Sequence, residues 1–183
     1  EDNPIETTRA RQAEWKKSPD YPVNLWHTQK TAWADFLADY YITMDSLYHH
    51  GDIDFDLLMR LNSQNRLGNF NLRYWHYFDD DEKSRADWKG DVLASIKKNY
   101  DRAKELGILG HAYIYGCDEI TQKHFSRIKE ATDLIRAACP GVPLLTTAYD
   151  ETYGLDSELG AMDGFCPLTP KYDSARAQNA RAH

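Results

Sequence analysis

His111-Ala112-Tyr113-Ile114-Tyr115-Gly116-Cys117-Asp118-Glu119 reads as one β-strand that ends in two adjacent carboxylates, and the rest of the chain can be placed around it. Ala112 to Tyr115 is β-favouring and largely apolar, as in a strand covered on both faces, and Gly116 lets the backbone turn out of the sheet. Just beyond, Thr121 can cap a helix whose apolar positions Phe125, Ile128, Ile135 and Ala138 recur at helical spacing. Strand, acids and helix form one β/α unit with the carboxylates on its connecting loop.

The same alternation extends both ways. Upstream, Trp33, Phe36, Leu37 and Tyr40 make a helical stripe that runs into a short strand, Tyr41 to Met44. Asp52 or Asp54 can cap the next helix, with Phe55, Leu58 and Leu61 inward and Gly68 as its stop. A strand is expected over Asn69 to Phe78. A long helix follows from Glu82 to Leu106, with Trp88, Val92, Ile96, Tyr100 and Ala103 on one face and Gly107 and Gly110 after it. Downstream come strands over Pro143 to Ala148 and Met162 to Leu168, a helix-like segment around Asp156 to Gly160, and a last helix from Tyr172 to His183.

Five strands in this order, with a sixth candidate near Tyr21 to Trp26, predict parallel strands joined by right-handed helical crossovers. A complete (β/α)8 barrel takes about 250 residues. The 183 residues therefore predict a partial TIM-type (β/α)8 barrel over residues 28–183 whose last strands are missing. Residues 1–27 form a polar N-terminal segment, with a short helical candidate at Thr8 to Lys16. An open doubly wound sheet is the structural alternative, but no Gly-x-Gly-x-x-Gly or Gly-x-x-x-x-Gly-Lys loop supports nucleotide binding.

Composition narrows the partners. A net charge of -7 without a basic patch argues against nucleic acid, because phosphate binding draws on clustered Lys and Arg. No apolar run approaches the roughly 20 residues that span a bilayer, and Glu1-Asp2-Asn3-Pro4 does not read as a signal peptide. The three cysteines, Cys117, Cys139 and Cys166, cannot all be paired within the chain. Cys117 reads as a partly buried free thiol rather than a nucleophile, since no His and Asn arrangement accompanies it.

Acids at the C-terminal end of a parallel strand lie where barrels build their sites. The bland alternative has Asp118 capping the next helix and Glu119 solvated in its first turn. If the pair is catalytic, its adjacency bears on mechanism. In double displacement, acid and nucleophile stand about 5 Å apart on opposite sides of the anomeric carbon. Neighbouring residues suit an arrangement in which a 2-acetamido group attacks that carbon, one carboxylate orients the acetamido N–H and the other protonates the leaving oxygen.

Tyr113-Ile114-Tyr115-Gly116-Cys117-Asp118-Glu119, then Ile128 to Cys139 closing on Pro140-Gly141-Val142-Pro143-Leu144-Leu145-Thr146-Thr147, then Met162-Asp163-Gly164-Phe165-Cys166-Pro167, resembles glycoside hydrolase family 123 and the related barrel proteins of domain of unknown function 4091. Phe36-Leu37-x-x-Tyr40-Tyr41-Ile42-Thr43-x-Asp45-Ser46-Leu47-Tyr48 is similar as well, so the likeness spans residues 28 to 173. It implies a retaining β-N-acetylgalactosaminidase acting through the substrate's acetamido group, a glycan substrate, no cofactor or metal, and a secreted or periplasmic location. It also implies that Asp118 stabilises an oxazolinium intermediate and that Glu119 is the general acid/base. The rival reading is an inactive carbohydrate-binding or scaffold barrel, completed by the rest of a larger protein or by another chain.

Secondary candidates for substrate contact are Trp75, His76 and Tyr77 on the Asn69 to Phe78 strand, and Tyr149 and Tyr153 after the strand ending at Ala148. Aromatic packing against a helix is the alternative for Trp75 and Tyr77, and an ordinary loop position for the other tyrosines. His49-His50 lacks a third ligand at metal spacing, and Asp79-Asp80-Asp81 reads as helix capping and solvation.

Overall fold

The computed structural model describes residues 25–43, 45 and 47–182, and the chain divides into two units, Glu1–Ile42 and Thr43–His183. The expected Thr8 to Lys16 helix and most of the Tyr21 to Trp26 candidate lie outside the described residues. Leu25 and Trp26 open a helix instead. The first unit contributes α1, Leu25–Asp39. Its Trp33, Phe36 and Tyr40 rings line up as the periodicity predicts, 5.7 and 5.2 Å apart, on an exposed face.

The strand expected from Tyr41 does not form across residues 41–43. The Tyr41 N–H bonds to the Ala38 carbonyl and the Ile42 N–H to that of Leu37, while Tyr41 takes φ 60°. Those bonds make a Schellman end, so the β-favouring run is spent on stopping α1.

The second unit holds α2 (Phe55–Ser63), β1 (Phe70–Asn71), α3 (Glu82–Trp88), α4 (Ala94–Glu105), β2 (Ala112–Tyr115), α5 (Phe125–Ala138), β3 (Leu144–Thr146), β4 (Gly164–Phe165) and α6 (Ser174–Arg181). It is a mixed α/β structure. The four strands form one parallel sheet in the order β1-β2-β3-β4, with Phe70 opposite Ala112, Ile114 opposite Leu144 and Leu145 opposite Gly164. Ala112 and Ile114 point to the face where Ile96, Tyr100 and Ala103 of α4 and Ile128, Ala131 and Ile135 of α5 complete the apolar core. Tyr113 and Tyr115 point the other way. No helix among the described residues is long and apolar enough to cross a membrane.

Several boundaries differ from the sequence expectation, each for a local reason. Asp54 caps α2, its side chain accepting the Leu57 N–H at 3.0 Å. The helix ends at Asn65, φ 55°, rather than at Gly68, through bonds from the Asn65 and Arg66 N–H groups to the Asn62 and Leu61 carbonyls. Gly107, φ 72°, ends α4 in the same way, as its sequence position predicts. The long helix from Glu82 is continuous but contains a π-helical turn at Lys89–Leu93 between α3 and α4. Residues Asp156 to Gly160 form turns rather than a helix.

The strand expected over Asn69 to Phe78 shrinks to β1 plus an isolated bridge between Trp75 and Gly116. The cause is Asn71. Its side-chain oxygen accepts the Tyr115 N–H at 3.0 Å, occupying a ladder position that a backbone carbonyl would fill. The chain leaves the sheet there, and the Tyr74 N–H bonds to the His49 carbonyl instead.

Candidate functional site

The two acids leave the sheet where β2 passes Trp75. A Cβ on Gly116 would lie 2.4 Å from the indole Nε1 and 2.5 Å from the Trp75 carbonyl oxygen, so only glycine lets the strands approach this closely. Cys117 and Glu119 then both adopt left-handed backbone, φ 58° and 52°. A non-glycine residue in that region costs of order 1–3 kcal/mol, and such positions concentrate at functional sites. Asp118, between them, is turned back over the open end of the sheet.

Its carboxylate is received by hydroxyl groups. Tyr48 donates to Oδ2 at 2.7 Å, and Tyr115 donates to Oδ1 at 2.9 Å. Thr147 also donates to Oδ1, and its own oxygen accepts the Glu119 N–H at 3.3 Å. Thr147 thus ties both acidic residues to the end of β3. The rings of Tyr48, Tyr74 and Tyr115 pack around the carboxylate with centroids 5.1 to 5.9 Å apart. Asp118 therefore does not cap a helix, and Thr121 makes no side-chain cap bond to the turn that leads into α5.

Electrostatics follow from these contacts. Desolvation pushes the Asp118 pKa upward, but hydrogen bonds from Thr147, Tyr48 and Tyr115, with His76 nearby, outweigh it and hold the carboxyl below its ordinary value. The Tyr48 phenol is raised, chiefly because its hydrogen bond to Asp118 favours the protonated form. Burial pushes the Tyr74 phenol up to about 12. The cluster thus keeps a negative carboxylate inside a ring of neutral hydroxyls.

A depressed carboxyl pKa contributes stability above its unfolded value, and that stability is lost as pH falls through the folded value. Tyr48→Phe removes one donor, so the Asp118 titration, followed by carboxyl carbon NMR, is expected to move to higher pH. The variant should then lose less stability than the wild type on acidification. An unmoved titration would show that the Tyr48 hydroxyl does not support the charge.

Tyr48 sits on a loop that the sheet holds down. The Asn71 amide donates to the Leu47 carbonyl at 2.9 Å, His49 Nε2 lies 2.8 Å from the Asn71 carbonyl, and Asp45 accepts from the Asn71 N–H and the Tyr113 hydroxyl at 2.6 and 2.8 Å. Asn71 thus ends β1 and also anchors the loop that carries Tyr48.

Glu119 is exposed, in contrast to its half-buried neighbour. Tyr149 stands beside it, with its phenol pKa raised by desolvation and by the Glu119 charge. Of the other sequence candidates, His76 is exposed on the rim, its Nε2 2.9 Å from the Tyr74 hydroxyl. Neighbouring groups partly desolvate its ring and lower its pKa, an effect partly offset by Asp118. The other three are engaged by neighbouring protein groups. Trp75 is only 1% exposed and packs between Gly116 and Trp88, because the core needs its bulk. The Tyr77 ring is occupied by His124, stacked at 4.9 Å, and by the Arg127 guanidinium. Tyr153 accepts the Asp173 N–H at 3.1 Å and packs on Phe165, bracing the approach to α6.

Asp81 caps α3 by accepting the Ser84 N–H at 2.8 Å, while Asp79 and Asp80 pair with Arg127. Cys117 is fully buried, and desolvation raises its thiol pKa. Tyr48, Tyr74, Tyr115 and Thr147 emerge as site residues only in three dimensions, although Tyr48, Tyr115 and Thr147 lie within the stretches that carry the family resemblance. No family model matches the chain, and no curated protein or solved structure shows significant similarity to it.

Proposed function

We propose that this chain carries the catalytic pair of a retaining glycoside hydrolase for β-linked N-acetylhexosaminides, most closely N-acetylgalactosaminides, and that its sheet is part of a (β/α)8 barrel wall. The unreversed strand order supports the barrel. With right-handed crossovers it keeps the connecting helices on one face, whereas a doubly wound sheet reverses direction at its ligand site. The other face, with Tyr113 and Tyr115, then lines the barrel interior.

The observation that carries the activity is the ionised Asp118 beside an exposed Glu119. A carboxylate offers about four acceptor positions, and three hydroxyls occupy Asp118. One acceptor position remains for the substrate's acetamido N–H. Held by that bond, the acetamido carbonyl oxygen attacks the anomeric carbon as the bond to the leaving oxygen breaks, and Glu119 gives that oxygen its proton. The resulting oxazolinium carries positive charge next to the Asp118 carboxylate, where fixed charge is most effective. Water then attacks the anomeric carbon as its bond to the acetamido oxygen breaks and the acetamido group is regenerated, Glu119 takes the water's proton, and the β configuration is restored.

Hydrolysis of 4-nitrophenyl β-N-acetylgalactosaminide tests the proposal, together with inhibition by the thiazoline analogue of the intermediate. Release of nitrophenol with competitive inhibition is expected. Binding of the thiazoline without turnover would make the chain a sugar-binding barrel, and neither binding nor turnover would remove the glycan reading altogether.

A further inference from the structure

Beyond the β3 and β4 ends lies a cavity of about 300 Å³ whose walls include Tyr149, Pro167, Leu168 and Lys171. Tyr149 belongs both to this cavity and to the Glu119 surroundings. The site therefore has two sides. Asp118 lies among Tyr48, Tyr74, Tyr115 and Thr147, and Glu119 lies beside Tyr149, which borders the cavity. On the proposed reaction, the acetamido group lies at Asp118 and the leaving oxygen at Glu119, so whatever is attached to that oxygen extends toward the cavity.

The charges of the lining are unequal in their partners. Asp150 accepts from the Thr152 N–H and hydroxyl, the Gly154 N–H and the Ser157 hydroxyl, and it organises its own loop. Glu151 pairs with Arg176 at 3.2 Å. Among the described residues, no carboxylate pairs with Lys171, which is exposed at the rim. Tyr149 and Leu168, 42% and 47% exposed, offer flat apolar surface beside it.

Resting on the hydrolase reading, we propose that this cavity is the leaving-group subsite and that it selects glycosides whose leaving portion carries an acidic group, a carboxylate or a sulfate, set against Lys171. The apolar wall takes the ring and the lysine takes the charge. As a compact point charge, Lys171 accepts either acid without demanding a planar partner.

Phenyl, 4-carboxyphenyl and 4-sulfophenyl 1-thio-β-N-acetylgalactosaminides, which resist hydrolysis, test this by calorimetric titration of the chain and of Lys171→Ala and Leu168→Ala. The acidic ligands are expected to bind about threefold to fivefold more tightly than the phenyl ligand, a difference the size of an exposed ion pair, and added salt should reduce it. Lys171→Ala should erase the preference. Leu168→Ala should weaken all three ligands together. Tighter binding of either acidic ligand than of the phenyl ligand supports the assignment, the sulfonate standing in for a sulfate. An identical ratio of acidic to neutral affinity in the wild type and Lys171→Ala overturns it. Because the ligands are not turned over, a chain that keeps the preference without hydrolysing nitrophenyl glycosides fails only the hydrolase reading. Turnover without the preference fails only the cavity assignment, and no binding of any ligand fails both.

Discussion

Asp118→Asn is expected to lower kcat/KM roughly 10²–10³-fold on activated and unactivated β-N-acetylgalactosaminides alike, the scale of removing one preorganised electrostatic group from a transition state. The reasons are visible in its contacts. On the proposed reaction the substitution removes the charge that would balance the oxazolinium, and it also replaces an acceptor oxygen by an amide that donates. Tyr48 and Tyr115 both donate to the carboxylate, so an amide N–H would face a hydroxyl proton at one position or the other. The loss should appear in kcat and in binding of the thiazoline analogue together, since both depend on the same charge. Leaving-group ability should not matter, because the proposed reaction puts Asp118 on the acetamido side. Thermal unfolding at neutral pH provides the control for a folding defect. A variant with wild-type turnover would return Asp118 to a purely structural role as the acceptor that ties Tyr48, Tyr115 and Thr147 together.

How much of this site can be read from the chain depends on the distance over which its contacts act. Helix periodicity is local, and α4, α5 and their inward residues follow the sequence pattern. The parallel alternation and the place of Asp118 and Glu119 after β2 do so too. Strand length is not local. The run from Asn69 to Phe78 is β-favouring throughout, yet its ladder ends where the Asn71 side chain takes the Tyr115 N–H, a choice made 44 residues away. The carboxylate's partners are equally remote, with Tyr48 separated from Asp118 by 70 positions and Thr147 by 29. Tyrosine is frequent here, 12 residues in all, so composition alone cannot separate Tyr48 from the braced Tyr153 or the stacked Tyr77. Trp75 shows the converse. Its position near the strand end is open to a sugar platform or to packing against a helix, and the glycine at position 116 is the local sign that something bulky must lie flat against the strand.

Glu119→Gln should give an effect of a different shape. General acid catalysis contributes typically 10²–10⁴-fold, and the benefit grows as the leaving group becomes a poorer one. Alkyl and sugar leaving groups are therefore expected to lose about that much, while nitrophenyl glycosides, whose leaving oxygen departs without a proton, should change little. A plot of log kcat/KM against leaving-group pKa should be shallow for the wild type and steep for Glu119→Gln. The fold has little reason to respond. The Glu119 side chain is exposed, its backbone N–H keeps its bond to Thr147, and its left-handed φ of 52° strains Gln much as it strains Glu. Unchanged unfolding together with the steeper plot would place the proton donor at Glu119. A uniform loss across all leaving groups would instead mean that Glu119 positions the sugar and that another group protonates the departing oxygen. The phenol beside it would be the first to examine, because, after desolvation, the Glu119 charge and a hydrogen bond to Glu119 help raise the Tyr149 pKa and Tyr149 borders the cavity assigned to the leaving portion. Tyr149→Phe, which keeps the ring and removes the proton, separates the two cases. Under Glu119 catalysis it leaves the slope of that plot unchanged, and under tyrosine catalysis it reproduces the steep line.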